Sequence, residues 1–203
     1  MKSFSKQELT AILVILGLVS LASYRNFKIS LRRGRDAQRK TDITGLAKAL
    51  DFYHQDFGFY PPSTEDGMIV ACGDDNTTVD LDVLEKENLS LEEKLLEIFK
   101  PCEWASSSLR DISDPDYPPY YTRLPADPIR KTGSEYRYIS NTNRFQLYAT
   151  LEGTDEAEYD QEIVERGLMC GTVICNYGKA SGQTPLEISI EQYENELLMN
   201  EEK

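Results

Sequence analysis

The chain has 203 residues, four cysteines, 40% hydrophobic residues and a formal net charge of −13, enough for one folded domain of roughly 100–150 residues plus an appendage. The charge is segregated: residues 1–50 carry ten Lys/Arg against three Asp/Glu, and residues 51–203 carry twelve against thirty-two, so a net +7 precedes a net −20. An acidic body of this kind argues against nucleic acid as a partner, while a basic stalk beneath it offers head-to-stalk attraction between copies.

Only eight residues precede a hydrophobic run from Leu9 to Ala22. At the helical rise, Leu9–Tyr24 reaches about 24 Å, short of the roughly 30 Å hydrocarbon core. Spanning therefore recruits residues 4–8 and sets Lys6 and Glu8 at the membrane edge, where a lysine snorkels and a carboxylate needs a partner. Three readings stand side by side. Lys2 and Lys6, the apolar run and Ser20-Leu21-Ala22 have the form of a secretory signal peptide cut after Ala22. A plain tether on an extracytoplasmic binding module is the second. The third is a subunit that sits first in a bilayer and is then packed into a filament. Seven Lys/Arg from Arg25 to Lys40 would hold the large domain in the cytoplasm by the positive-inside rule. Four cysteines in an acidic body suit an oxidising compartment instead, and the two signals conflict.

No proline occurs before Pro61, so one helix is expected from about Phe4 to Phe57, roughly 80 Å long. Ile43, Leu46, Leu50, Tyr53 and Phe57 recur at spacings of three and four and form a stripe that should bury against the body. Arg32, Arg35, Asp36, Arg39 and Asp42 are read as mostly off that stripe, in surface pairs worth about 0–1 kcal/mol each or simply solvated. Pro61-Pro62 opens a loop-rich stretch to about Asp80. Leu89–Phe99 reads as a short helix with Ser90 as its cap ahead of Glu93. The proline-rich segment 114–128 reads as an extended loop. Tyr136–Ser140 and Arg144–Leu151 read as a hairpin with the three-residue loop Asn141-Thr142-Asn143. Glu158–Leu168 is a further short helix, and the acidic tail from Glu187 is expected to fray.

Cys72, Cys102, Cys170 and Cys175 allow three pairings. Cys72 with Cys102 and Cys170 with Cys175 is favoured, since each bridge would staple a loop poor in apolar residues; a Cys₄ zinc site is the alternative. His54, on the long helix, has no evident catalytic partner and is read as packing or surface. Tyr117, Tyr120 and Tyr121 among prolines are either a binding surface or a packed cover. No phosphate-binding glycine loop, metal-binding helix motif or nucleophile elbow occurs, so the chain is read as a non-enzyme.

Phe4-Ser5-Lys6-Gln7-Glu8-Leu9, an apolar stretch containing Gly17, and Arg33-Gly34-Arg35-Asp36-Ala37-Gln38-Arg39-Lys40-Thr41-Asp42 follow one another early in the chain. Leu46–Tyr53 then leads into Phe57-Gly58-Phe59-Tyr60-Pro61-Pro62, and Leu124-Pro125-Ala126-Asp127-Pro128 precedes Tyr136-Arg137-Tyr138 and Phe145–Glu152. In this order the segments resemble type IV pilins and type II secretion major pseudopilins, over residues 4–62 and 124–152. The chain differs from the family pattern at Ser3 (usually Gly), at Lys6 and Gln7 (usually apolar), and at Arg25, where a proline is common.

The resemblance implies an α+β, pilin-like fold: a long N-terminal α-helix with a transmembrane first half, packed on a small antiparallel β-sheet with loop-rich insertions. It implies a leader at 1–3, an assembly helix at 4–24, its amphipathic continuation at 25–60, a globular head at 61–186 and an acidic tail at 187–203. A prepilin peptidase would cut between Ser3 and Phe4, and Glu8 would be the carboxylate that guides assembly. The implied partners are further copies in a helical homopolymer, the peptidase, an inner-membrane assembly platform with minor pilins, and the cytoplasmic membrane. The implied location is that membrane, single-pass with the head outside, and then a surface or periplasmic filament. No cofactor is expected; Asp155, Glu156, Glu158 and Asp160 lie near where some pseudopilins bind Ca²⁺, and read either as such a loop or as a solvated acidic one. Asp74, Asp75 and Asp80 are read in the same two ways. The alternative role is a membrane-tethered binding module, or a minor or adhesive pilin outside the filament body.

Overall fold

The computed structural model describes residues 5–72, 90–114 and 116–201. It is an α+β arrangement in which one long N-terminal helix backs small antiparallel sheets. Helix α1 (Lys6–Phe57) has 52 residues, about 78 Å of rod. Its start is set by Ser5, whose Oγ accepts the Glu8 N–H while the Glu8 carboxylate accepts the Ser5 N–H at 2.7 Å; this reciprocal pair satisfies two otherwise orphaned donors. Its end is set by Gly58, at φ 78° and ψ 3°, whose N–H donates to the His54 carbonyl at 2.8 Å. Only glycine adopts that left-handed geometry cheaply.

The rod has two different halves. The described side chains from Ser5 to Leu31 are all exposed. Beyond them Asp36, Arg39, Ile43, Leu46, Leu50 and Tyr53 are buried, at spacings of three and four that place them on one face. This stripe packs on a three-stranded sheet of order β3-β4-β7, with β3 (Arg137–Ser140), β4 (Phe145–Ala149) and β7 (Tyr177–Ala180) all antiparallel. Every residue of β4 is buried. It does not alternate because both of its faces are covered: α1 lies on one side, and on the other Gln146 Nε2 and the Tyr148 hydroxyl donate to the carbonyls of Ile188 and Leu186 at 2.8 and 2.9 Å.

Smaller pieces close the body. β1 (Val70–Cys72), inside the stretch expected to be loop, pairs with β2 (Lys100–Pro101). Between them α2 (Leu91–Ile98) carries the expected Ser90–Glu93 capping box and buries Leu95. β5 (Met169–Cys170) and β6 (Val173–Ile174) form a two-stranded hairpin.

Several boundaries differ from the sequence reading. The main hairpin loop has four residues, not three, because the Asn141 side chain accepts the N–H groups of Asn143 and Arg144 at 3.2 and 2.9 Å and holds a wider turn. The helix expected from Glu158 shrinks to α3 (Gln161–Glu165), since the Asp160 carboxylate accepts the Glu162 and Ile163 N–H groups and fixes a later start. The acidic tail forms α4 (Ile190–Glu201). Its first turns are docked: Ile190 is buried, Arg144 lies 5.1 Å over the Tyr193 ring, and Glu194 accepts from Asn141 at 2.9 Å.

Replacing Leu46 by Ala should remove about 2–5 kcal/mol of stability, the usual cost of emptying a closed site. Phe52→Ala, on the exposed face of the same helix, should stay within about 0.5 kcal/mol. Denaturant unfolding of the detergent-solubilised full chain, followed by near-ultraviolet circular dichroism, checks this; equal losses would mean the buried face is misassigned.

Candidate functional site

Arg39 lies at the centre of the junction between stalk and head, with its side chain fully buried. Its Nε and Nη2 donate to the two oxygens of Asp127 at 2.7 and 3.0 Å, and Nη1 donates to Asp36 at 2.7 Å and to Glu152 at 2.9 Å. Asp36, equally buried, spends both oxygens on the head: they accept the backbone N–H groups of Glu152 and Gly153 at 2.9 and 3.0 Å. Asp127 in turn accepts the Ile129 N–H at 2.8 Å. Burial by itself would lower the pKa of Arg39, but the hydrogen bonds from its guanidinium to Asp127 and Glu152 outweigh that and hold it more firmly protonated than usual. An isolated charge here would be prohibitive; a planar fork with a bidentate partner and two more acceptors is not.

A second layer of pairs surrounds this centre. Arg35 makes a bidentate contact with Glu152 at 2.7 and 2.5 Å. Arg32 reaches Asp155 at 2.5 Å, Arg33 approaches the same carboxylate at 3.8 Å, and Lys40 bridges Glu156 and Glu158 at 2.9 Å each. Hydrogen bonds from Arg35 and then Arg39 hold the Glu152 carboxyl below the ordinary glutamate range, and Lys40 does the same to Glu158. Asp42 shifts the other way: burial raises it, even though the Tyr136 hydroxyl donates to it at 2.7 Å.

This corrects the reading of the stalk charges. Asp36 and Arg39 continue the apolar stripe at its own spacing, and they are core residues in charged form. The signal that carries them was in the sequence, since stepping back by four and three from Ile43 lands on Arg39 and Asp36. What spacing cannot supply is that Asp127 and Glu152 come to meet them. Five of the seven cations between Arg25 and Lys40 pair with acids: Arg32, Arg33, Arg35, Arg39 and Lys40. The cluster therefore has a use inside the fold, independent of membrane topology.

The other sequence candidates fall as follows. Asp155, Glu156 and Glu158 turn toward the cations of α1, and Asp160 caps α3. Among the described residues no group of three or more acids, histidines or cysteines converges as a metal site. Cys72 is bonded to Cys102 and Cys170 to Cys175, each with Cα atoms 5.2 Å apart. Glu8 belongs to the N-terminal capping box, whereas Ser3 and Phe4, like Asp74, Asp75 and Asp80, lie outside the described residues. His54 stacks on Tyr60 with ring centroids 4.3 Å apart. Tyr120 donates to Asp56 at 2.6 Å and Tyr121 lies over Gly45, so both cover α1 and only Tyr117 of the three is exposed. Among the described residues one helix, α1, is long and apolar enough to cross a membrane. Comparison with known protein families, characterised proteins and solved structures finds no match for the chain.

Arg39→Met should cost about 3–5 kcal/mol, because it leaves Asp36 and Asp127 buried without their cation. Arg33→Met, at the exposed edge, should cost less than about 0.5 kcal/mol. Thermal unfolding in detergent separates the two. Acid should loosen the same junction. With the folded pKa of Glu152 depressed, the unfolded chain binds more protons at mildly acid pH. This contribution is thus complete above the ordinary glutamate value, about 4.3, and fades as pH falls through the lower folded one. The raised Asp42 acts in the opposite sense and offsets part of the loss. Unfolding midpoints measured from pH 7 to pH 3 should decline for the wild type and decline less for Glu152→Gln, which starts lower.

Proposed function

We propose that this chain is the structural subunit of a type IV pilus-like or type II secretion pseudopilus filament, a builder of polymer and not a catalyst. The observation that carries the reading is the division of α1 into an exposed apolar half and a half that forms the spine of the head's core, with no break between them. An apolar surface of this extent needs either lipid or other helices to cover it. Lipid covers it before assembly, and the equivalent segments of neighbouring copies cover it afterwards. A rigid continuation into the head means that bundling of the front halves fixes where every head stands. The two disulfides suit a head outside the cytoplasm, and the use of five stalk cations within the fold removes most of the positive-inside argument against that side.

In this reading the peptidase removes residues 1–3, Phe4 becomes the amino terminus, and Glu8 meets the amine of an adjacent copy. A carboxylate among apolar helices is costly alone and tolerable beside a cation, so the unpaired state favours assembly. Glu8 also has a local task, since its carboxylate caps the helix through Ser5. The two tasks separate by substitution. Gln at this position keeps a capping box and removes the charge. Glu8→Gln should therefore insert and fold normally while polymer yield, measured by sedimentation of sheared filaments, drops at least about tenfold; normal polymer would reduce Glu8 to a helix cap. The mature amino terminus decides the wider question. Mass spectrometry should find N-methyl-phenylalanine at Phe4, whereas Ser23 would indicate a cleaved signal peptide and Met1 a plain tether.

A further inference from the structure

Two exposed amphipathic surfaces lie far apart on the molecule, one midway along the stalk and one on the head. On the stalk, Tyr24, Phe27 and Leu31 recur at spacings of three and four, from the end of the membrane-length run toward the head, and all are exposed. Arg25 and Lys28 flank them, with the Lys28 ammonium 4.7 Å over the Tyr24 ring. Among the described residues, these two are the stalk cations between Arg25 and Lys40 that pair with no acid of the head. On the head, the end of α4 presents Leu198 and Met199, 60% and 59% exposed, with the exposed Glu196 three residues before Met199 and so on its side of the helix. One surface is apolar and basic, the other apolar and acidic.

They cannot meet within one chain. The Tyr60 N–H donates to the Thr142 carbonyl at 2.7 Å, so the hairpin turn sits at the C-terminal end of α1, while Glu152 marks the stalk end of the docked half beside Arg35. α4 starts next to β4, where Gln146 donates to the Ile188 carbonyl, and it has reached the hairpin turn by Glu194. It therefore climbs away from the stalk. The twenty-six residue steps from Leu31 to Phe57 put about 39 Å of proline-free helix between the two surfaces.

We propose that the tip of α4 docks on the stalk segment Tyr24–Leu31 of a second copy. Leu198 and Met199 lie against Phe27 and Leu31, and Glu196 faces Arg25 and Lys28. The inference rests on the filament reading and deepens it. A contact between two different patches of the same chain, offset along the rod axis, does not close on itself, so it propagates into an open filament. It also covers apolar stalk surface that neither the head nor the hydrocarbon core reaches, and its charge pairing sets which surface is accepted.

Lys28 and Glu196 permit a test on the unaltered protein. Membranes from cells expressing ¹⁴N- and ¹⁵N-labelled full-length chain are mixed during assembly and treated with a zero-length carbodiimide, which joins an amine to a carboxylate only when they touch. The Lys40–Glu156 pair, 2.9 Å apart within one chain, reports reagent access. Isotopically mixed Lys28–Glu196 cross-links are expected in polymer, and the double change Leu198→Arg, Met199→Arg should cut their yield at least tenfold. Filaments that lack this cross-link while the Lys40–Glu156 control forms would overturn the docking and leave the filament reading standing. Mixed cross-links without filaments would support the docking and overturn that reading; absence of both would overturn both. A yield unaffected by the double change would sink the docking as drawn, because the apolar seat would then play no part in bringing the two charges together.

Discussion

A guanidinium buried against three carboxylates is the constraint around which this molecule is organised. Arg39 has no exposed surface, and neither does its partner Asp36. Leaving any of the group unpaired in that environment is far costlier than placing an apolar residue there. The head must therefore bring the Asp127 loop and the segment after β4 to the same height on α1. The 152–153 backbone is held by Asp36, the Glu152 side chain by Arg35 and Arg39, and Asp127 by Nε and Nη2 of Arg39. A slip of the sheet by one residue would break all of these at once. Hydrophobic burial of Ile43, Leu46, Leu50 and Tyr53 supplies the driving force, and the charged centre supplies the register.

That division of labour has a mechanical consequence. Apolar contacts tolerate small slides, whereas bidentate charge pairs do not. The head is thus fixed to the rod along the turns of α1 that hold Arg32 to Lys40, nearest to the exposed half. Any force transmitted along the front half arrives first at this centre. In a polymer built from such rods, the angle and height of each head would follow from the packing of its stalk, with little freedom left at the joint.

The charge segregation along the chain takes on a different meaning once the fold is known. A +7 stalk and a −20 remainder look like two surfaces prepared for other molecules. Much of that opposition is satisfied within one copy: Arg32, Arg33 and Lys40 hold the acidic segment 155–158, the group that in sequence looked most like a cation loop. What remains outward between Arg25 and Lys40, among the described residues, is the pair Arg25 and Lys28 with the apolar residues between and beyond them, and on the head the climbing end of α4.

Elements whose causes are local are legible in the chain without its fold. The rod from the first residues to Gly58, its apolar stripe, the capped helix after Ser90, the hairpin and the alternation of cap and glycine stop all follow from period, propensity and chain punctuation. These act over a few residues and can be read directly. The sequence reading missed β1, shortened the main turn by one residue, overextended α3 and left the tail loose, because each of those was decided by a side chain or strand arriving from elsewhere. The largest misreading concerned Asp36 and Arg39. Their positions on the buried stripe were visible, yet charged side chains are assigned to water unless compensating groups are known. Those groups, Asp127 and Glu152, lie 88 and 113 residues from Arg39 along the chain. Only the tertiary structure decides that they converge, since burial of an ion depends on the full set of partners around it and no single segment contains that set.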